Sequence, residues 1–150
     1  MNISLFRHLR AVAIFPFSVT VLVPLILTRF WKESLIPFET NSQIPIFLSI
    51  ILYLIGLVGL IYTITLFHYE GNGTLAPFDP PKNFVAKGPY KYCRNPMIIF
   101  IIIMVIAEAI FFNSLIMLLY ALSFFFTKTL YFIFHEEPQL VKRFGASYER

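Results

Sequence analysis

Charge is what this sequence has least of. Only 13% of its residues are charged and 58% are hydrophobic, whereas soluble domains run at about 25% charged and about 45–50% apolar. That shortage excludes an ordinary soluble domain, because 150 residues of this composition lack the polar side chains to face water all round. Basic runs are missing as well. The net charge of +4 is scattered over short polar stretches, which excludes the basic stripe of a nucleic-acid-binding surface. Cysteine is nearly absent. The one residue, Cys93, rules out an internal disulfide and a multi-cysteine zinc site. His68 and His135 each stand alone at the end of an apolar run, so no metal is expected. The one tryptophan, Trp31, falls where an interfacial anchor would sit.

What the chain does have is long apolar runs, with a mean hydropathy of +0.75. They predict an all-α integral membrane protein. Four transmembrane helices are expected, at about 11–28, 44–67, 97–112 and 115–134, each near the roughly 20 residues that cross a ~30 Å hydrocarbon layer. Arg7 and Arg10 before the first run resemble a signal peptide. No small-residue cleavage pattern follows and the run has spanning length, so it reads as a retained helix. Pro16 and Pro24 inside it predict a kink. Gly56 and Gly59 in the second run permit close helix contact, or are glycines that a membrane helix merely tolerates. Asn113-Ser114 breaks the last two runs into a helical hairpin. In the tail, 135–150, Leu140, Val141 and Phe144 have helical spacing and Gly145 reads as a C-cap. A short amphipathic helix at the membrane surface fits that pattern.

Lysine and arginine set the orientation. Arg7 and Arg10 in the head, Lys82, Lys87, Lys91 and Arg94 in the long loop, and Lys142, Arg143 and Arg150 in the tail share one face of a four-span bundle. Only Arg29 and Lys32 lie in the first loop. The head, the loop 70–96 and the tail are therefore expected on the cytoplasmic side, in a multi-pass protein with both termini cytoplasmic. Two ionisable residues fall inside expected spans. Lys128 is close enough to the cytoplasmic end to snorkel there, or to face a substrate or cofactor. Glu108 lies near the hairpin turn, where it is expected to reach the opposite interface or cap the turn.

The loop 70–96 is too long for an idle connection. Tyr90, Tyr92 and Arg94 alternate, so in extended backbone they would share a face that suits a planar base. The alternative is that the tyrosines are interfacial anchors. Asn95 fits an N-cap and Pro96 the first helical turn. A helix start beside Arg94 is an anion site. Glu136 and Glu137 close the fourth run, where the helix dipole favours cations instead. They are solvated charges, or they are held there by a cationic or hydroxyl-rich ligand.

The order of these pieces resembles a known family. Gly73-Thr74, Pro80-Pro81, the run from Val85 through Lys87-Gly88-Pro89-Tyr90 to Arg94-Asn95-Pro96-Met97, then Glu136-Glu137-Pro138-Gln139-Leu140, Phe144-Gly145 and Tyr148, is similar to membrane methyltransferases of the isoprenylcysteine carboxyl methyltransferase and phospholipid methyltransferase type. The resemblance covers about the last half of the chain. It implies S-adenosyl-L-methionine (S-adenosylmethionine) as cofactor and methyl donor, and a lipid or small apolar molecule as acceptor. By position it implies cofactor contacts from Lys82, Asn83, Phe84, Val85, Tyr90, Asn95, Pro96, Met97, Ile98 and Glu136. Arg94, Glu136 and Glu137 are the candidate catalytic residues, with Arg94 orienting the acceptor. Asn95 stands where the family usually has histidine, and an amide cannot titrate as a base. Ile98 replaces a tyrosine. Phe132 replaces the arginine that binds a carboxylate acceptor. The chain ends at Arg150 where relatives usually continue. Two other readings remain: an NADPH-dependent protein resembling sterol reductases, for which no arginine cluster awaits a 2′-phosphate, and a non-catalytic relative.

Overall fold

The computed structural model describes residues 13–30, 43–71 and 85–145. Among these, every regular element is helical. A π-helical stretch, Ala13–Leu22, runs into α1 (Val23–Phe30). Helix α2 is Ile44–Gly71, a 3₁₀ turn covers Gly88–Lys91, α3 is Pro96–Phe111 and α4 is Leu115–Tyr131. A second π-helical stretch, Phe132–Glu136, joins α4 to α5 (Glu137–Phe144) without an intervening loop.

Two of these runs, Ile44–Gly71 and Leu115–Lys142, are long and apolar enough to cross a membrane, and each has 28 residues. At about 1.5 Å per residue, that length is roughly 42 Å, more than the ~30 Å hydrocarbon layer. Phe15–Phe30 and Pro96–Phe111 are shorter apolar helices. The apolar surface faces outward. Only 17% of the most apolar stretch of α2 is buried, and Phe47, Ile51, Val58 and Ile61 are each more than half exposed. A helix at the core of a soluble protein would be mostly buried, so lipid is the solvent that suits this surface.

The core lies where α3 is enclosed by its neighbours. Val19, Leu60, Met97, Ile101, Met104, Val105 and Ala121 form one buried cluster. Helix α3 packs on α2, on α4 and on the first π-helical stretch. Gly56 and Gly59 set how close α2 comes. A Cβ on Gly56 would stand 2.9 Å from the Phe100 carbonyl oxygen, and one on Gly59 would enter the Phe100 ring. The close-contact reading of this glycine pair therefore holds. The Asn113-Ser114 break is also present. Asn113 has φ 48°, a left-handed conformation that asparagine tolerates, and α4 starts directly afterwards.

Proline explains both π-helical stretches. Pro16 lies inside the first, where the widened turn accommodates a ring without an N–H, and Thr20 Oγ1 donates to the Pro16 carbonyl at 2.8 Å. Pro24 falls in the first turn of α1, where a proline is compatible with the helix. Pro138 sits just past the second stretch, whose Glu137 N–H donates to the Phe132 carbonyl five residues back. The tail helix is thus a continuation of the fourth helix rather than a separate one. Its final N–H bond runs from Gly145 to the Val141 carbonyl at 2.9 Å, as a C-cap requires.

Candidate functional site

The hairpin α3–α4 brings the residues before α3 and those after α4 to one end of the bundle, where α2 also ends. Three local features fix the last stretch of the loop there. Val85 is buried, and Lys87 Nζ pairs with Glu70 Oε1 on α2 at 2.9 Å. Gly88 takes φ +55°, and a Cβ there would lie 2.9 Å from Tyr62 Oη, so the position needs glycine on both counts. Pro89 then starts the 3₁₀ turn, in which the Tyr92 and Cys93 N–H groups both donate to the Pro89 carbonyl, at 3.1 and 3.0 Å.

That turn overrides the expected alternation. Residues 88–91 are coiled, so Tyr90 and Tyr92 do not share a face. Tyr90 points inward: its hydroxyl donates to the Thr63 carbonyl at 3.3 Å, and its ring lies 6.1 Å from that of Phe67. Burial pushes the Tyr90 phenol well above its ordinary pKa. Tyr92 is 87% exposed. Pro96 and Met97 are buried at the start of α3, and Ile98 packs against the core. Asn95 occupies the N-cap position but makes no side-chain capping bond. Beside them, Pro89, Tyr92, Cys93, Pro96, Ile99 and Phe100 line an open groove of about 380 Å³.

The tail meets this turn through charge. The Arg94 guanidinium pairs with the Glu137 carboxylate. Lys128 Nζ stands 3.7 Å from Glu136 Oε1, and lies over the rings of Phe15 at 5.0 Å and Tyr131 at 4.8 Å. Lys128 therefore snorkels along the helix to the loop end and has a carboxylate there. Its side chain is 20% exposed, and those of Glu136 and Glu137 are 35% and 28% exposed, so these charges are partly desolvated and interact more strongly than fully exposed ones. The structure thus gathers Arg94, Glu136 and Glu137 with Asn95 and the start of α3. It turns Val85, Tyr90 and Met97 toward the protein interior. Lys82, Asn83 and Phe84 lie outside the described residues, as do Gly73-Thr74, Pro80-Pro81, Trp31 and Tyr148. Among the described residues, no group of three or more His, Cys, Asp and Glu is placed to hold a metal.

Sequence reasoning did not find the Lys87–Glu70 tether or the bond from Tyr90 to Thr63, since neither partner pair has a spacing signal. The proline at 138 was a readable signal for the π-helical turn that places the two glutamates.

A sequence profile described as phospholipid methyltransferase matches residues 44–147. The chain belongs to the phospholipid methyltransferase family. Comparison with curated proteins and with solved structures gives no match. The matched span covers more than two thirds of the 150 residues and includes Glu70, Lys87, Tyr90, Arg94, Asn95, Lys128, Glu136 and Glu137 at this end of the bundle. A phospholipid methyltransferase works on lipid at a membrane, and the outward-facing apolar helices agree with that setting.

Proposed function

We propose that this phospholipid methyltransferase family member transfers a methyl group from S-adenosylmethionine to a lipid-like or small apolar acceptor at the cytoplasmic membrane face. One observation carries the reading. The Arg94-Asn95-Pro96 turn and the Glu136-Glu137 pair, 42 positions apart between Arg94 and Glu136, come to one end of the bundle and are held by ion pairs.

The donor set fits the cofactor. S-adenosylmethionine carries an ammonium, a sulfonium and a carboxylate. Glu136 and Glu137 are complementary to the first two. Arg94, Lys128 and the first-turn N–H groups of α3, which helix geometry leaves without intrahelical partners, are complementary to the third. Lys82, Asn83, Phe84 and Val85 are proposed to contact it through their backbone. Asn95, Pro96, Met97 and Ile98 are proposed to line it at the helix start, Met97 and Ile98 through their backbone because their side chains pack into the core, and Tyr90 to support that wall from behind. When bound, the cofactor supplies an electrophilic methyl on sulfur. The chain's task is then to position the acceptor in line and exclude water. The open groove beside Arg94 is apolar and suits the acceptor's hydrocarbon part. Asn95 can donate and accept hydrogen bonds but carries no titrating proton. For an amine acceptor, a glutamate of the 136–137 pair takes the proton.

The four-span, single-domain topology with both termini cytoplasmic belongs to this proposal. Its support is the lysine and arginine distribution and the common end of the bundle shared by loop and tail. The experiment is methyl transfer from labelled S-adenosylmethionine into a total lipid extract by the full chain in lipid nanodiscs. Label in an extractable lipid is the expected result, and identification of the product names the acceptor. Well-folded protein that binds the cofactor but labels nothing in the extract would overturn the lipid acceptor.

A further inference from the structure

The other end of the bundle holds a second polar feature, unconnected with the first. Glu108 lies twelve residues along α3 from Pro96, roughly 18 Å at about 1.5 Å per residue. Below the close glycine contact of α2 with α3, the two helices leave a cleft of about 250 Å³, lined by Ser49, Ile50, Tyr53, Leu54, Ala107, Glu108 and Phe111. Glu108 neither caps the hairpin turn nor pairs with a base among the described residues. Its Oε2 is buried with no hydrogen-bond partner. An isolated carboxylate in such surroundings is costly unless a cation or donor meets it.

The rest of the lining says which. Ser49 donates its hydroxyl proton to the Ile46 carbonyl at 2.8 Å, so toward a further partner its oxygen can only accept. Tyr53 and Phe111 add aromatic side chains to the lining, and aromatic rings can attract cations. A carboxyl group, an accepting hydroxyl and two aromatic rings make a cation-selective set. At the mouth, Ile50, Leu54 and Phe111 are about half exposed, at 47%, 53% and 52%, and would lie against hydrocarbon. We propose that this cleft binds the protonated amine of an amphiphile, with its alkyl chain along Ile50, Leu54 and Phe111, at a site separate from the methyl-transfer centre.

The test uses the full chain in non-ionic detergent and a hexadecylamine carrying a tail diazirine. Photolabelled peptides from α2 and α3 are quantified by mass spectrometry, with hexadecylamine and hexadecanol as competitors. The expected result is that the amine competes at least about tenfold better than the alcohol. Glu108→Gln, which keeps the shape and removes the charge, should abolish that preference. Leu54→Trp, at an exposed position on the mouth, should block labelling and so serves if Glu108→Gln fails to fold. Equal competition by the two compounds would overturn the proposal, as would a preference that survives Glu108→Gln in folded protein. A third variant guards against an internal partner. Residues 31–42 include Lys32 and lie outside the described residues. If amine preference appears only in Lys32→Gln, the chain supplies its own cation and the proposal fails. Unchanged preference in Lys32→Gln supports it.

Discussion

Tyr90 is the residue on which the placement of the loop turns most directly. Its hydroxyl reaches the Thr63 carbonyl at 3.3 Å, and its ring rests near Phe67, so Tyr90→Phe should destabilise the protein by about 0.5–1.5 kcal/mol, read from thermal unfolding in detergent. The same residue sets a pH dependence. Burial raises its phenol pKa in the folded state, so the unfolded chain ionises first. Its contribution is fully present below about pH 10, the unfolded value, and is lost as pH rises toward the folded one. Wild type and Tyr90→Phe should therefore converge in stability in strong alkali, and a difference that grows with pH would contradict this. At the charged pair, Arg94→Glu or Glu137→Arg alone should loosen the tail from the loop, while the double swap restores the attraction. Cofactor affinity measured around that cycle shows whether the pair only tethers, in which case the swap recovers it, or also touches the ligand, in which case it does not.

Two helical elements owe their geometry to residues that a sequence displays openly. Gly56 and Gly59 bring α2 against Phe100 and Met104 of α3. Gly59→Ala forces a methyl into the Phe100 ring and should cost about 1–3 kcal/mol. Val58→Ala, on the exposed side of the same helix, is the control that should cost far less. Unfolding midpoints for the two variants settle the comparison. Pro138→Ala restores a backbone donor and lets the Phe132–Glu136 stretch return to ordinary α-helical bonding, which changes the angular position of everything after it. Weaker cofactor binding, with helix content unchanged by circular dichroism, is expected. The helices, the Asn113-Ser114 hairpin and the Gly145 cap were legible because length, apolarity and turn chemistry are local properties. The coil of residues 88–91 was not, since Tyr90-Lys91-Tyr92 reads equally as an extended stretch. Only Gly88 at positive φ and the pull of Thr63 decide it. Asn95 shows the opposite limit: its position as N-cap was readable, while the absence of a capping bond depends on where neighbouring elements leave the side chain. For Glu108, depth along the helix was readable, whereas the cleft facing it forms only when α2 packs on α3.

At the scale of the whole molecule, most of the charge among the described residues collects at one end of the bundle, and Glu108 lies toward the other. The fold lets this happen because α3 and α4 form a hairpin, so residues on either side of it share an end of the bundle. The proposed orientation, argued from the lysine and arginine distribution, puts that end at the cytoplasm. Cys93, the sole cysteine, tests the orientation without any substitution. An impermeant maleimide should modify it in inside-out vesicles and not in right-side-out ones. The central claim is that the loop end and the Glu136-Glu137 pair together form one S-adenosylmethionine site. Isothermal titration calorimetry of the full chain in nanodiscs with S-adenosylhomocysteine tests it most directly. Saturable one-site binding, weakened about tenfold or more by Glu136→Ala in protein that remains folded, is the predicted result. No heat of binding to folded wild-type protein, or an affinity that Glu136→Ala leaves unchanged, would contradict it.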